Sequence, residues 1–540
     1  MRTIRGVLAL SAALALGALQ LSVAPAVASG HGAGAQVRGV PWVRSIEGAL
    51  ARGNAVRSTR SGHDPAAGAY VHSQVECKAF ARNRANVNLD CDNHVLPNNE
   101  SDIAVDPTDP KHMVASSNDY DSAGDEFYTT FNGGQAWTTG DMSLEDAGRT
   151  GSDPVTTFDP KSQTLIHSSL NFLITKAGLG KDGDVVVSLS KDGGITWGRP
   201  VQVADGIGAD DSAHEIFNDK PWLTTDTNPA SPYDGRTYVT WSGFGFASGR
   251  YLRSPIMMSS SDDGGRHWTS PREVSGSSPG LCENQSSGAA GQCDEDGGSF
   301  PMVAPDGTVY VGYYNSQNRS AWENGDRFES SFLVVHSGNG GHTWSAPSLV
   351  ASLEDGTADL PVNVDGRATM TGLQLRLSAT ANMSVDPATG RIWAVFYDNR
   401  AGKHDVADPV TNLNVYMVVS DEGVHWSTPF PVANGPGDQW LPWVDVNPRT
   451  GQPGVLYENR DKQHPSLYDT NLATPGETGF VIDRVDTVPS NARADLFFRA
   501  GVPGCRHCAT FNGDYIRFDY GSDGRANMAW TDMRRFTRFG

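Results

Sequence analysis

No apolar run beyond residue 21 approaches the roughly 18 residues a membrane helix requires, so the rest of the 540-residue chain holds no helical membrane span. Basic residues are scarce: 42 Lys and Arg stand against 62 Asp and Glu, a formal charge of −20 with histidine neutral. That field makes nucleic acid and anionic membranes poor partners, and an anionic ligand needs a local basic cluster to overcome it. Metal-ligand spacings are also missing. Cys505-Arg-His507-Cys508 has no second ligand pair at zinc-like distance, and no compact loop alternates Asp and Asn as a calcium loop does. No cofactor is therefore expected.

Residues Met1 to Ala28 do carry one apolar run, Gly6 to Leu21, behind Arg2 and Arg5 and ahead of the small-residue site Ala26-Val-Ala28. This is the layout of a secretory signal, so the mature protein is expected to be secreted and extracellular, a monomer by default. Without Arg2 and Arg5, 40 basic side chains face 62 acidic ones, a charge of −22. Residues 29–68, rich in Gly, Ala, Arg and Ser with weak periodicity, read as a flexible mature N-terminus. Residues 69–540 form one domain. In an exported chain the six cysteines imply disulfides, most simply Cys77–Cys91, Cys282–Cys293 and Cys505–Cys508, out of 15 connectivities.

Within that domain one turn signature returns five times: Thr130-Phe-Asn-Gly-Gly-Gln-Ala-Trp137, Ser190-Lys-Asp-Gly-Gly-Ile-Thr-Trp197, Ser261-Asp-Asp-Gly-Gly-Arg-His-Trp268, Ser337-Gly-Asn-Gly-Gly-His-Thr-Trp344 and a shortened Ser420-Asp-Glu-Gly-Val-His-Trp426. The Asp or Asn oxygen accepts backbone N–H groups of its own turn, the glycines permit positive φ, and the Trp starts the next strand with a ring large enough to bury between sheets. A period of about 60 to 80 residues, with several strands per copy, marks a radial or stacked array. The signature resembles the Asp-box of the sialidase (BNR-repeat) superfamily, secreted bacterial exo-α-sialidases included. The resemblance implies an all-β propeller of four-stranded antiparallel blades. It does not by itself imply activity, since Asp-boxes also occur in propellers with other roles.

Between the boxes seven inner strand pairs can be counted, beginning at Ile103-Ala-Val-Asp-Pro107 and ending at Tyr515-Ile-Arg-Phe-Asp519 with Ala526-Asn-Met-Ala-Trp530. The count favours seven blades over the six of known sialidases. N-terminal chain from Tyr70 to Asp92 is then expected to complete the last blade and close the ring. Consecutive connections alternate between faces, so the Asp-boxes lie on one face. The loops that precede inner strands and follow second strands crowd the channel mouth on the other. At those positions stand Glu100, Asp153, Asp219, Asp296, Asp438 and Asp514, then Asp398-Asn-Arg400, Glu458-Asn-Arg460 and Asp532-Met-Arg534. Crowded carboxylates raise one another's pKa unless a cation, an arginine or a shared proton compensates. Inter-blade ion pairs are the structural alternative for each residue.

The sialidase resemblance implies a Tyr nucleophile activated by an acid, an Asp acid/base, and three arginines on the substrate carboxylate. Gly-Asp514-Tyr515 matches the Tyr position, with Glu458, Asp532 or Asp514 as its base. The loop after the first blade's second strand offers Asp119 or Asp121 as proton donor. The family's Arg-Ile-Pro motif is absent at Glu100-Ser-Asp102, and Tyr314-Asn-Ser-Gln-Asn318 stands where a second arginine is expected. Arg400, Arg460 and Arg534 are the available clamp, with Asp398, Glu100, Asp153, Asp219 and Asp438 around the ligand. Two readings follow: a glycosidase releasing sialic acid or another acidic sugar, or a non-catalytic propeller binding glycan or protein at its mouth. Trp222, Trp440, Trp443 and Tyr120 could stack on sugar rings in either.

Overall fold

The computed structural model describes residues 70–71, 86–90 and 98–534, apart from 121, 123, 147, 175–179, 209–213, 284–288, 318–328, 357, 363–366, 378–380, 461–462 and 495–510. The signal and mature N-terminus, Asp121, Cys77, Cys91, Cys505 and Cys508 lie outside the described residues. Cys282 and Cys293 are bonded to each other, as expected.

The described chain is almost wholly β. Seven inner strands follow one another around a ring: Asn98–Val105, Arg149–Asp159, His214–Thr225, Asp296–Val303, Asn382–Val385, Asp438–Val446 and Arg517–Tyr520. Each of the first six leads an antiparallel meander of four strands, and the seventh pairs with Ala526–Ala529. This is an all-β propeller with four-stranded antiparallel blades. A hairpin, Thr369–Met370 with Leu373–Arg376, is inserted between blades 4 and 5.

Side chains join neighbouring blades by capping backbone donors. Asp102 Oδ2 accepts Thr156 N at 2.8 Å, Asn382 Oδ1 accepts Val444 N at 2.9 Å, and Asp445 Oδ2 accepts Tyr520 N at 2.8 Å. The ring closes on the same device. Asp519 Oδ2 accepts Val105 N at 2.8 Å, while Arg517 crosses to Asp102 at 2.5 Å. Two described pieces of N-terminal chain lie near the closure, and the first pairs with blade 1. Tyr70–Val71 extends blade 1 beyond its outer strand Thr138–Asp141. Asn86 bonds the Val485 carbonyl and Thr487 N, and Val87 and Leu89 pack in the cluster that includes Ala529.

The Asp-box hydrogen bonds explain the signature. In the second copy Asp192 Oδ1 accepts Thr196 N at 2.9 Å, and Ser190 Oγ accepts Gly194 N at 2.8 Å. The same Ser or Thr hydroxyl takes the glycine N–H in the other four copies, at 3.2 Å for Thr130, 3.0 Å for Ser261, 2.9 Å for Ser337 and 2.8 Å for Ser420. Each paired glycine has φ between +68° and +86°. The boxes also brace the blade before them: Thr129 Oγ1 donates to Gly194 O at 2.8 Å, and Tyr310 OH to Glu422 O at 3.2 Å. First turns and Asp-boxes thus share a face, as alternation of strand direction requires.

Candidate active site

Five of the seven inner strands carry the same irregularity where they reach the opposite face. Pairing with the second strand breaks between Asn99 and Asp102, Ser152 and Val155, Asp219 and Trp222, Gly297 and Phe300, and Trp440 and Trp443. Two residues there oppose one on the partner strand, and the first of the two is left-handed: Glu100 (φ 57°), Asp153 (59°), Lys220 (54°), Gly298 (58°) and Leu441 (49°). For a non-glycine residue this conformation costs on the order of 1 kcal/mol, and such strain persists where the surroundings hold it. Bulges re-aim side chains. Here they turn Glu100, Asp153 and Lys220 toward one another.

The Asp153 carboxyl group interacts with those of both Glu100 and Asp219. Burial, then the charges of Asp153 and Asp514, push Glu100 and Asp219 well above the usual carboxylate range, and Lys220 opposes the rise in both. Asn118 Nδ2 donates to Glu100 at 2.8 Å, and Asn118 Oδ1 accepts Asp153 N at 2.8 Å. Asp514 N donates to Glu100 at 3.1 Å, and Arg376 of the inserted hairpin pairs with the Asp514 carboxylate at 3.1 Å.

Lys220 and Tyr515 sit in this cluster. The ammonium lies 3.9 Å from the Tyr515 ring centroid and 5.6 Å from that of Trp222. Its Nζ is closed off from solvent and has no hydrogen-bond partner. Tyr515 OH donates to Pro154 O at 3.0 Å. Burial, then Glu100 and Asp153, raise the Tyr515 pKa well above its ordinary value. A second layer holds Asp125 and His167, 3.5 Å apart and both buried, with burial raising the Asp125 pKa against the pull of His167.

Beneath the carboxylates the channel is filled. Where pairing resumes after the bulge stand Trp222, Phe300 and Trp443, with ring centroids 4.9 to 5.7 Å apart, and Tyr515 lies 5.0 Å from Trp222. Trp222, Trp440, Trp443 and Tyr120 are buried. They are packing residues, not an open rim on which a sugar could stack.

The other expected site residues are placed elsewhere. Arg400 holds Asp398 at 2.6 Å and the Ser352 carbonyl at 2.8 Å. Arg460 holds Asp438 at 2.7 Å together with the carbonyls of Thr371 and Pro465. Arg534 pairs with Asp532 and donates to Thr487 Oγ1 at 2.8 Å. Each expected clamp arginine thus engages an acid of its own blade, and Asp398, Asp438 and Asp532 are those acids. The reason is geometric. Asp398 ends its strand and Arg400 turns back onto it two residues later, Asp532 and Arg534 are likewise two residues apart in the chain after the last strand, and Asp438 stands directly across the ladder from Arg460. Glu458 is fully buried, its pKa raised by burial and then by Asp532 and Asp486, so it belongs to the joint between blades 6 and 7 rather than to the Tyr515 cluster. Asp119 Oδ2 caps Ser122 N at 2.8 Å. A cavity of about 420 Å³ lies apart from the cluster, between blade 1 and the last hairpin, lined by Asp90, Tyr128, Trp137, Trp530 and Asp532 among others.

The structure brings together Glu100, Asp153, Asp219, Asp514 and Tyr515, which the sequence reading named, with Lys220, Arg376 and Asn118, which it did not name. The available signal for Lys220 was the shared Ser-Asp153-Pro, Asp-Lys220-Pro and Trp-Leu441-Pro pattern, whose middle residues occupy equivalent bulge positions.

Fold and site together define an all-β propeller with a buried carboxyl and ammonium cluster. The chain is similar to a Hadza microbial sialidase, Hz136, at 14% identity and TM-score 0.40 over 68% of this chain, and it spans about 64% of that protein. It is also similar to the α-L-arabinofuranosidase Arb93A from Fusarium graminearum, at 12% identity and TM-score 0.39 over 77% of this chain and 99% of that one. A third likeness is to the intramolecular trans-sialidase from Ruminococcus gnavus, at 12% identity and TM-score 0.38 over 72% of this chain and 94% of that one. No protein family and no curated protein matches the sequence. At these scores the likenesses assign no activity. Among the described residues no helix is long and apolar enough to cross a membrane.

Proposed function

We propose that the protein is a secreted glycoside hydrolase that removes a terminal acidic sugar, sialic acid or a uronic-type relative, at the channel mouth. One observation carries the reading: a solvent-excluded ammonium without a hydrogen-bond partner, Lys220, stands among the carboxyl groups of Glu100, Asp153 and Asp219. A buried ammonium left unpaired is costly, and a substrate carboxylate would satisfy it. Glycoside cleavage needs a carboxylic acid that is still protonated near neutral pH and a second carboxyl group that stays ionised. Asp219 or Glu100, with raised pKa, suits the donor. Asp153, which interacts with both, is the third carboxyl group beside the substrate.

Tyr515 remains a second candidate for the attacking group. Its hydroxyl is committed to Pro154 O, and its phenolate is disfavoured by burial and by the carboxylates, so Lys220 would have to stabilise it. The mouth is covered by Arg376 with Asp514, and substrate entry requires the inserted hairpin and residues 511–514 to part.

That closure favours the other reading, a propeller that binds without hydrolysis. Incubation of the purified secreted protein with fluorogenic sialosides and uronides decides between them. Turnover lost in Asp219→Asn supports the hydrolase; binding with no turnover of any acidic glycoside would sink it. Turnover unchanged in Tyr515→Phe removes the tyrosine from the reaction.

A further inference from the structure

We infer that the joint between blades 4 and 5 binds a divalent transition-metal ion through Glu354, Asp359 and His404 Nδ1, with Glu329 as a further oxygen donor. One donor atom from each of the first three residues falls within 4.8 Å of the others. Donors bound at about 2.0 to 2.3 Å around one ion stand up to about 4.5 Å apart, so a small inward adjustment completes the sphere.

The backbone holds the two contributing loops together without using these side chains. Asn399 N donates to Glu354 O at 3.0 Å, Asp405 N to Ala358 O at 2.8 Å, and the Asn399 amide to Asp359 O at 2.7 Å. His404 Nδ1 contacts the Asp359 carboxylate and lies 3.6 Å from that of Glu354.

An independent observation comes from a third segment. Glu329, just before the strand Ser330–Ser337, is only 3% exposed, and its Oε2 has no hydrogen-bond partner. Its carboxyl group interacts with those of Asp359, Asp355 and Glu354. The cations nearby have partners of their own. Arg400 is held by Asp398 and the Ser352 carbonyl, and Lys403 pairs with Asp405 and Asp408. Asp355 accepts Tyr314 OH at 2.7 Å and backs the site from outside.

Several carboxylates with one imidazole suit Zn²⁺ or Mn²⁺ better than the all-oxygen sphere of Ca²⁺ or the octahedral demands of Mg²⁺. The test uses the full secreted protein, stripped with chelator and titrated with Zn²⁺, Mn²⁺ and Ca²⁺, with metal content and Tm as readouts. One equivalent of Zn²⁺ or Mn²⁺ should bind at least about tenfold more tightly than Ca²⁺ and raise Tm. The pair Glu354→Gln with His404→Asn should abolish uptake. Glu329→Gln, which leaves the other three donors in place, should weaken it about tenfold or more while metal-free Tm stays level or rises. Absence of uptake, or uptake equal in every variant, would overturn the assignment and leave His404 as the counter-ion of Asp359.

Discussion

The Lys220 ammonium lies 3.9 Å from the centre of the Tyr515 ring, on a residue whose φ is +54°. A strained backbone and a buried charge at one position both raise the energy of the folded state, and stability alone explains neither.

Lys220→Met keeps the length of the side chain and removes the charge. Activity toward acidic glycosides should fall by about two orders of magnitude or more, the scale seen when one electrostatic contact to the reacting group is lost. Thermal stability should change little, because the ammonium has no hydrogen-bond partner to forfeit. Steady-state kinetics beside a melting curve checks both halves. A large loss of stability with activity intact would assign Lys220 to the scaffold.

Stability should decline as pH rises. Glu100 and Asp219 are raised by burial and by Asp153, Glu354 and Asp519 stand at about 7, Asp184 at about 8 and Glu329 at about 9. In the unfolded chain these groups ionise near pH 4, so the folded form binds more protons over the interval. Their contribution is full below about pH 4 and is lost as pH passes through the folded values. Asp263 acts in the opposite sense: despite some burial, hydrogen bonds from His267 and its own turn bring it to about 2, and its contribution fades as pH falls below about 4. Melting curves in chelator should show the highest Tm between about pH 4 and 6. A Tm that climbs from pH 5 to pH 8 would refute this.

The two Asp-box glycines Gly134 and Gly194 have nearly equal φ, +82° and +86°, yet differ in surroundings. An added Cβ at Gly134 meets nothing closer than 3.6 Å, whereas at Gly194 it meets Thr129 Oγ1 at 2.8 Å and Val114 Cγ2 at 2.9 Å. Gly134→Ala should cost about 1 to 2 kcal/mol from backbone strain alone, and Gly194→Ala about 1 to 3 kcal/mol more. Denaturant titration of the two variants separates strain from collision.

Ring closure depends on Asp102. Its two oxygens hold Arg517 and Thr156 N, which connect blade 7 to blade 1 and blade 1 to blade 2. Asp102→Ala leaves the Arg517 guanidinium buried beside Trp222 and Trp443 with its ion pair gone, a loss of about 3 to 5 kcal/mol. Limited proteolysis should then cut first near the junction of N- and C-terminal chain. An unchanged digestion pattern would place the closure elsewhere.

The fold was legible because the Asp-box is a local device. Ser, Asp, Gly and Trp at fixed offsets satisfy one another within a single turn, so the letters carry the geometry without tertiary context. The inner strands were legible for a similar reason, since Asp-Pro and Asp-Gly turns punctuate them. The site was only half legible. One extra residue, set by two against one in the bulge, reverses which side chains face the channel, and Asp219-Lys220-Pro does not announce that pairing breaks there. The arginines misled because partner choice is tertiary. Asp398-Asn-Arg400 looks like a pair of site residues until the turn after Asp398 folds Arg400 back onto it, where they satisfy each other. Arg376 could not be found at all, since its partner Asp514 is 138 residues away.

The central claim is that the channel mouth at Lys220 is the ligand site. A crystal structure of the protein soaked with a sialic acid or uronic acid analogue tests it most directly. A ligand carboxylate about 2.7 to 2.9 Å from Lys220 Nζ, with a sugar oxygen against Asp219 or Glu100, is the expected result. Ligand density in the cavity beside Trp137 and Trp530, with Lys220 untouched, would contradict it.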